Sequence, residues 1–267
     1  LFLFIQFVLL IPLKVFSQSG DQSVKVQKIL EKYGLQGTVV LYEPGGKGYF
    51  GYNEAKWDSG FLPASTFKIP NSLAGLETGV IDTGYLFRWN GEKRRMPQWE
   101  HDMKLQEAFR LSCVPCYQEV ARRIGSERMR EVLKKMGYPG MDVNSENIDL
   151  FWLEGNSRIT PRQQVNFLQR LQREDLPLKP DVMKSVKQIM LQESTGQYNL
   201  YAKTGWAIRN GNNYGWFVGW VETNGRVVCF ATLVEPVDPS DMTDFAGNRK
   251  QVTMEILLLL GVIPSVD

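Results

Sequence analysis

The sequence predicts an α+β fold: one antiparallel sheet assembled from both ends of the chain, flanked by terminal helices, with a helical subdomain inserted between. Three observations carry this. β-rich runs cluster near residues 38–52 and 200–234, and helical patterns fill the interval. Short turn sequences join the strands, which suits antiparallel neighbours, because parallel strands need crossovers of a dozen or more residues. The chain has 267 residues and 43% hydrophobic composition, enough for one large core.

The elements follow in order. Residues 1–12 (LFLFIQFVLLIP) are almost wholly apolar but shorter than the roughly 20 residues a spanning helix needs. They read as the hydrophobic region of a secretory signal lacking its start, with Val15-Phe16-Ser17 a tolerable cleavage site. The expected organisation is a signal peptide at 1–17 and one catalytic domain at 18–267. Within it, 18–60 and 195–267 form the sheet subdomain and 61–194 the mainly helical one. A helix at 24–33 ends at Gly34 as a C-cap. Strands at 38–43 and 48–52 are joined by Pro44-Gly45-Gly46. Helices are predicted at 65–77, 105–111, 117–124, 126–136, 161–171 and 181–191. Thr160-Pro161 is a strong start signal, with Thr as N-cap and Pro at the first helical position. Strands return at 200–204, 214–222 and 226–234, the last two linked by Thr223-Asn224-Gly225. A final helix at 248–260 stops at Gly261. No later apolar run is long enough to cross a membrane.

Composition narrows the function. Lys+Arg is 31 against Asp+Glu 29, so no basic excess marks a nucleic-acid binder. There is one histidine, His101, in a polar stretch that suits a surface or capping role. A Ser–His or His-rich metal mechanism would rest on that single ring, so any catalytic base is expected to be something else. The three cysteines are Cys113, Cys116 and Cys229. Cys113-Val114-Pro115-Cys116 resembles a redox C-x-x-C, but it lies in a helical stretch rather than after a strand of a βαβ unit. An incidental disulfide and two packed thiols both remain open. Cys229 reads as a core strand residue.

The local chemistry starts at Pro63-Ala64-Ser65-Thr66-Phe67-Lys68. Ser-x-x-Lys at a helix start puts Ser65 and Lys68 on one face. A serine hydroxyl needs a base, and lysine can serve only when burial holds its amine neutral. Apolar Ala64, Phe67 and Ile69 suit such a pocket. The second signal is Lys203-Thr204-Gly205-Trp206 at a strand end, where Gly205 would let a substrate backbone approach closely. S-x-x-K followed by K-T-G is the pattern of penicillin-recognising serine enzymes.

With these residues in view, the sequence resembles the class D, oxacillinase-type β-lactamases over about residues 27–263. Pro63 to Leu73 resembles the family's nucleophile helix, Ser112-Cys113-Val114 its S-x-V, and Lys203-Thr204-Gly205-Trp206 its K-T-G with a following aromatic. Phe151-Trp152-Leu153-Glu154, Trp216-Phe217-Val218-Gly219 and Asn248-Arg249 match further family motifs. The resemblance implies a β-lactamase/transpeptidase-like fold with the active site between the subdomains. It implies hydrolysis of β-lactam antibiotics, penicillin binding and antibiotic resistance. Ser65 would be the nucleophile, and Lys68, N-carboxylated by CO2 or bicarbonate, the general base for acylation and deacylation. Trp152 would hydrogen-bond the carbamate, with Val114 and Leu153 as its roof. Ser112 would pass a proton to the leaving nitrogen. Lys203, Thr204 and Arg249 would hold the substrate carboxylate, beside Gly205 and Trp206. The backbone N–H groups of Ser65 and Trp206 would form the oxyanion hole. No metal and no bound cofactor are expected. The implied partners are small β-lactams, with no nucleic acid and no membrane span after signal removal, and the implied location is secreted, in a bacterial periplasm.

The departure is Gly137-Tyr138-Pro139-Gly140, where the family usually carries Tyr-Gly-Asn. Two other readings share these motifs. One is a β-lactam-sensing receptor domain, acylated without turnover; the other is a D,D-peptidase. The signal-like leader favours the secreted enzyme over the sensor, and Trp152 with S-x-V favours it over the peptidase.

Overall fold

The computed structural model describes residues 17–264. Residues 1–16 of the expected signal peptide (1–17) therefore lie outside the described residues, and its last residue, Ser17, opens helix α1 (Ser17–Lys32). Gly34 follows at φ 64°, the left-handed region that glycine enters without cost. Strands β1 (Leu35–Glu43) and β2 (Gly48–Tyr52) form the first hairpin. A 3-10 turn at Ala64–Phe67 leads directly into α2 (Lys68–Glu77). Two-residue strands β3 (Leu86–Phe87) and β4 (Met103–Lys104) pair with each other. Five helices follow: α3 (Leu105–Arg110), α4 (Val114–Ile124), α5 (Ser126–Met136), α6 (Pro161–Gln172) and α7 (Pro180–Met190). The chain then forms β5 (Leu191–Ser194), β6 (Asn199–Arg209), β7 (Asn212–Thr223) and β8 (Arg226–Pro236), and ends in α8 (Phe245–Leu259).

The other six strands make one antiparallel sheet in the order β2-β1-β8-β7-β6-β5. The two chain ends meet where β1 pairs with β8, from Leu35 opposite Pro236 to Tyr42 opposite Cys229. The α+β arrangement expected from the sequence is the one observed.

Both faces of the sheet are covered, which explains why β7 and β8 read as nearly continuous apolar runs. Alternate residues serve different cores. Trp216, Val218 and Trp220 of β7, with Cys229, Ala231 and Leu233 of β8, join the core shared with the inserted helices. Phe217, Val221, Val228 and Phe230 point the other way, into the core made with α1 and α8. Helix α2 is buried all round, as a helix at the centre of a helical cluster must be. Helix α6 begins with a capping box: Thr160 accepts from Gln163 N–H, and the Gln163 side chain accepts from Thr160 N–H.

Several details differ from the sequence reading. Leu191 ends α7 in the predicted pattern but opens the edge strand β5, whose four residues show no period of their own. Strands β3 and β4 are too short to leave any periodicity. The C-x-x-C lies at the very start of a helix: Cys113 is the N-cap of α4 and Cys116 sits in its first turn. Among the described residues no helix is long and apolar enough to cross a membrane.

Candidate active site

The nucleophile candidate sits in the 3-10 turn, not in the α-helix. Residues three apart eclipse each other in that geometry, so Ser65 and Lys68 stack more directly than an α-helix would allow. Lys68 Nζ lies 3.1 Å from Ser65 Oγ. Ala64, just before the serine, has φ 48°, a left-handed conformation that costs a non-glycine residue about 1 kcal/mol. Its surroundings hold it there. Ala64 N–H donates to Trp152 O at 2.9 Å, and Thr66 N–H and Oγ1–H donate to Pro63 O at 3.2 and 2.6 Å. Gln164 of α6 donates to Thr66 Oγ1 at 2.8 Å.

Lys68 is fully buried on the first turn of α2. No carboxylate pairs with it among the described residues; its amine lies 5.1 Å from the centre of the Tyr117 ring. Tyr117 is itself anchored by its hydroxyl, 2.7 Å from Ser72 Oγ. Burial therefore acts unopposed and lowers the Lys68 amine to about 7. At neutral pH much of it is neutral, the condition for taking a proton or reacting with CO2.

Ser112 and Lys203 close the opposite side. Lys203, buried on β6, donates to Ser112 Oγ at 2.5 Å and to Thr204 O at 3.2 Å. Its pKa is well below the usual lysine value, first because of burial and then because Lys68 and Arg249 are nearby cations. Ser112 has φ 54° and ends α3 in a Schellman motif. Its N–H donates to Phe109 O at 3.1 Å, and Cys113 N–H donates to Ala108 O at 2.9 Å. A serine stands where that motif usually has glycine.

Strand β6 passes hard against the nucleophile turn. A Cβ on Gly205 would lie 3.0 Å from Thr66 Cγ2, 3.1 Å from Pro63 O and 3.2 Å from Trp216 Cβ. What approaches Gly205 so closely is the protein's own Ser65 turn, and this contact requires a small residue there. Thr204 is half-buried and Trp206 is 39% exposed at the rim. Trp206 is braced by its indole N–H to Asn213 Oδ1 at 2.9 Å and by Phe245. Arg249, in the first turns of α8, donates to Gly205 O and lies over the Trp206 ring. Burial lowers its guanidinium to about 10.

Trp152 is buried, stacked on Phe67 with centroids 5.4 Å apart. Its carbonyl fixes Ala64, a role its sequence motif did not show. Val114 and Leu153 are half-buried and pack on the core of the helical part. Trp216 is buried and donates to Leu62 O at 2.9 Å, tying the sheet to the segment that carries Ser65. Residues missed in the sequence are Tyr117, Ser72 and Phe109, whose ring lies 5.5 Å from Lys203 Nζ. Each sits inside a predicted helix as an ordinary member, with no signal beyond helical spacing. His101 is half-exposed, 3.3 Å from Glu107 Oε1, and belongs to the surface.

The departure at Gly137-Tyr138-Pro139-Gly140 has a local cause. Gly140 has φ 75°, and a Cβ there would fall 2.0 Å from Arg158 O, so no side chain fits. Tyr138 is buried edge-on against Phe67, behind the nucleophile turn. Among the described residues no group of three or more His, Cys, Asp or Glu side chains is placed to hold a metal ion.

Comparison with known proteins gives the family. The family described as "Penicillin binding protein transpeptidase domain" matches residues 31–257. "Beta-lactamase OXA-48" of Klebsiella pneumoniae is 40% identical over 230 residues, 86% of this chain and 85% of that protein. "Probable beta-lactamase YbxI" of Bacillus subtilis is 37% identical, covering 86% of this chain and 82% of its own. Among solved structures, a class D β-lactamase from Nostoc has a TM-score of 0.84 at 42% identity, covering 88% of this chain and 98% of that one. Another from Sebaldella termitidis has a TM-score of 0.85 at 36% identity, covering 90% and 97%. Relatives and solved structures alike span most of the chain at these identities, and the chain belongs to the class D β-lactamases.

Proposed function

We propose that this chain opens β-lactam rings through an acyl-enzyme on Ser65, with Lys68 in its carboxylated form as general base. The observation that carries this reading is the fully buried Lys68 amine, with no carboxylate partner among the described residues and 3.1 Å from Ser65 Oγ. The pocket fits a carbamate: only a neutral amine captures CO2, and burial lowers this one to about 7. A carbamate there supplies an anionic oxygen base, and Trp152, Val114 and Leu153 are the residues that would enclose it.

The chain's own groups then have distinct tasks. Ser65 gives its proton to the Lys68 side chain as Oγ attacks the lactam carbonyl. The N–H groups of Ser65 and Trp206 face the developing oxyanion. As the C–N bond breaks, Ser112 donates a proton to the leaving nitrogen, and its contact with Lys203 lets that proton be replaced. Lys203, Thr204 and Arg249 hold the substrate carboxylate. Water then attacks the ester, Lys68 accepts its proton, and Ser65 is released. The apolar run at residues 1–12 supports export to a bacterial periplasm, which sequencing the N-terminus of the mature protein would test.

The deciding experiment follows a chromogenic cephalosporin with catalytic and with stoichiometric protein. Continuous turnover, abolished in Ser65→Ala, is expected. A single burst equal to the protein concentration would indicate a sensor, and turnover retained by Ser65→Ala would remove the nucleophile assignment.

A further inference from the structure

Cys113 and Cys116 are joined in a disulfide, while Cys229 is a buried free thiol. We propose that this bond is a redox-breakable clamp that keeps Ser112 in position against Lys203. The proposal rests on the proton-relay role given above to Ser112.

The geometry of the turn points there. Ser112 is the left-handed residue that closes α3, and Cys113 is both the next residue of that motif and the N-cap of α4. A single junction therefore ends one helix and starts another, with no slack on either side of the catalytic hydroxyl. A non-glycine residue keeps a positive φ only where its surroundings over-determine it. Helix N-caps normally supply an oxygen acceptor. Cys113 supplies sulfur, a weak acceptor, 3.3 Å from Cys116 N–H. The covalent bond takes over the work of that weak cap. It also encloses Val114, which belongs to the site wall.

The clamp acts locally. The cross-linked loop is four residues, the length at which a disulfide restricts the unfolded chain least. Cys113 and Cys116 are 1% and 7% exposed, so a reductant reaches them only when the turn opens. Reduction transfers two electrons and two protons from an external dithiol. The Sγ–Sγ bond breaks into two thiols, and the dithiol becomes a cyclic disulfide. Released, Ser112 can leave the left-handed region, and its hydroxyl moves off Lys203.

The test compares four proteins: parent and Ser112→Ala, each oxidised, and each reduced with dithiothreitol and desalted under argon. Thiols are counted in denaturant, and steady-state kinetics are measured with a chromogenic cephalosporin. One thiol per oxidised chain and three per reduced chain are expected. Reduction should lower the parent kcat at least fivefold with KM changed less than twofold, and should change Ser112→Ala less than twofold. The Cys116→Ala variant should reproduce the reduced parent without reductant and ignore added dithiothreitol. Near-ultraviolet circular dichroism checks that both open forms stay folded. Three free thiols in the oxidised protein, or equal losses in parent and Ser112→Ala, would overturn the proposal. An impaired Ser112→Ala beside a reductant-insensitive parent would overturn the clamp alone. An oxidised Ser112→Ala as active as the parent would contradict the relay role itself, and the clamp with it.

Discussion

At the scale of single residues, the site depends on placing a lysine where a lysine is unstable. Lys68 is held near 7 rather than 10.5 by burial alone. Below about pH 7 it is protonated and cannot take the Ser65 proton. The value of kcat/KM in CO2-free buffer should therefore fall about tenfold per unit below that point and level off above it. Addition of bicarbonate should raise activity near neutrality. The same burial costs stability. Between about 7 and 10.5 the unfolded chain binds a proton that the folded chain does not, so this group's contribution to stability rises with pH across that window. Lys68→Met should accordingly raise the melting temperature at pH 6 and raise it less at pH 10, while removing turnover. A gain independent of pH would contradict the buried neutral amine. Ser65, Lys68 and Lys203 could be proposed from the sequence because S-x-x-K and K-T-G, taken together, name them by residue type and spacing. The positive φ of Ala64 and Ser112 was not legible there, because neither is a glycine.

At the scale of elements, the K-T-G strand and the nucleophile turn are two pieces of backbone held in contact. Gly205→Ala would put a methyl group 3.0 to 3.2 Å from Thr66, Pro63 and Trp216, forcing β6 and the turn apart by a few tenths of an ångström. The expected result is at least a tenfold drop in kcat, with a stability loss of about 1–3 kcal/mol by chemical denaturation. Gly140→Ala makes a different contrast. Its methyl group would meet the Arg158 carbonyl at 2.0 Å from a left-handed backbone, so it should destabilise more than Gly205→Ala and affect kcat less in the protein that remains folded. The sequence indicated the strand and the glycine and suggested that substrate needed the space, but it ended the strand at Thr204, whereas β6 runs on to Arg209 and carries Lys203-Thr204-Gly205 in its middle. Only the register of β6 against the turn shows that the protein itself fills that space. Strand β5 and the β3–β4 pair were invisible for the related reason that runs of two to four residues carry no period.

At the scale of the molecule, the site lies where the sheet meets the inserted helices. Ser65 and Lys68 arrive from α2 and its preceding turn, Ser112 from the α3–α4 junction, and Lys203, Thr204 and Trp206 from β6. Arg249 comes from α8, packed on the far side of the sheet. The antiparallel sheet joined from both chain ends was readable from hairpin signals, because a turn sequence constrains its two strands locally. The meeting of α3, α4 and β6 around one serine depends on contacts distant in sequence, and no local pattern records it. Trp216 is the clearest tie across this seam, with its indole donating to Leu62 O. Trp216→Phe should leave that buried carbonyl without its donor, at about 1–3 kcal/mol, and lower kcat through the displaced Ser65 turn. Unchanged stability and unchanged kcat would show that the tie does not position the site.

In the proposed mechanism Ser65 is acylated and Lys68 provides the base that releases it. Intact-protein mass spectrometry of the parent and Lys68→Ala, sampled over time after mixing with a penicillin, tests both parts at once. The predicted result is one adduct per chain, mapped to Ser65. It should be transient in the parent, and slow to form but persistent in Lys68→Ala. No adduct on Ser65, or an adduct that Lys68→Ala clears as fast as the parent, would contradict this mechanism.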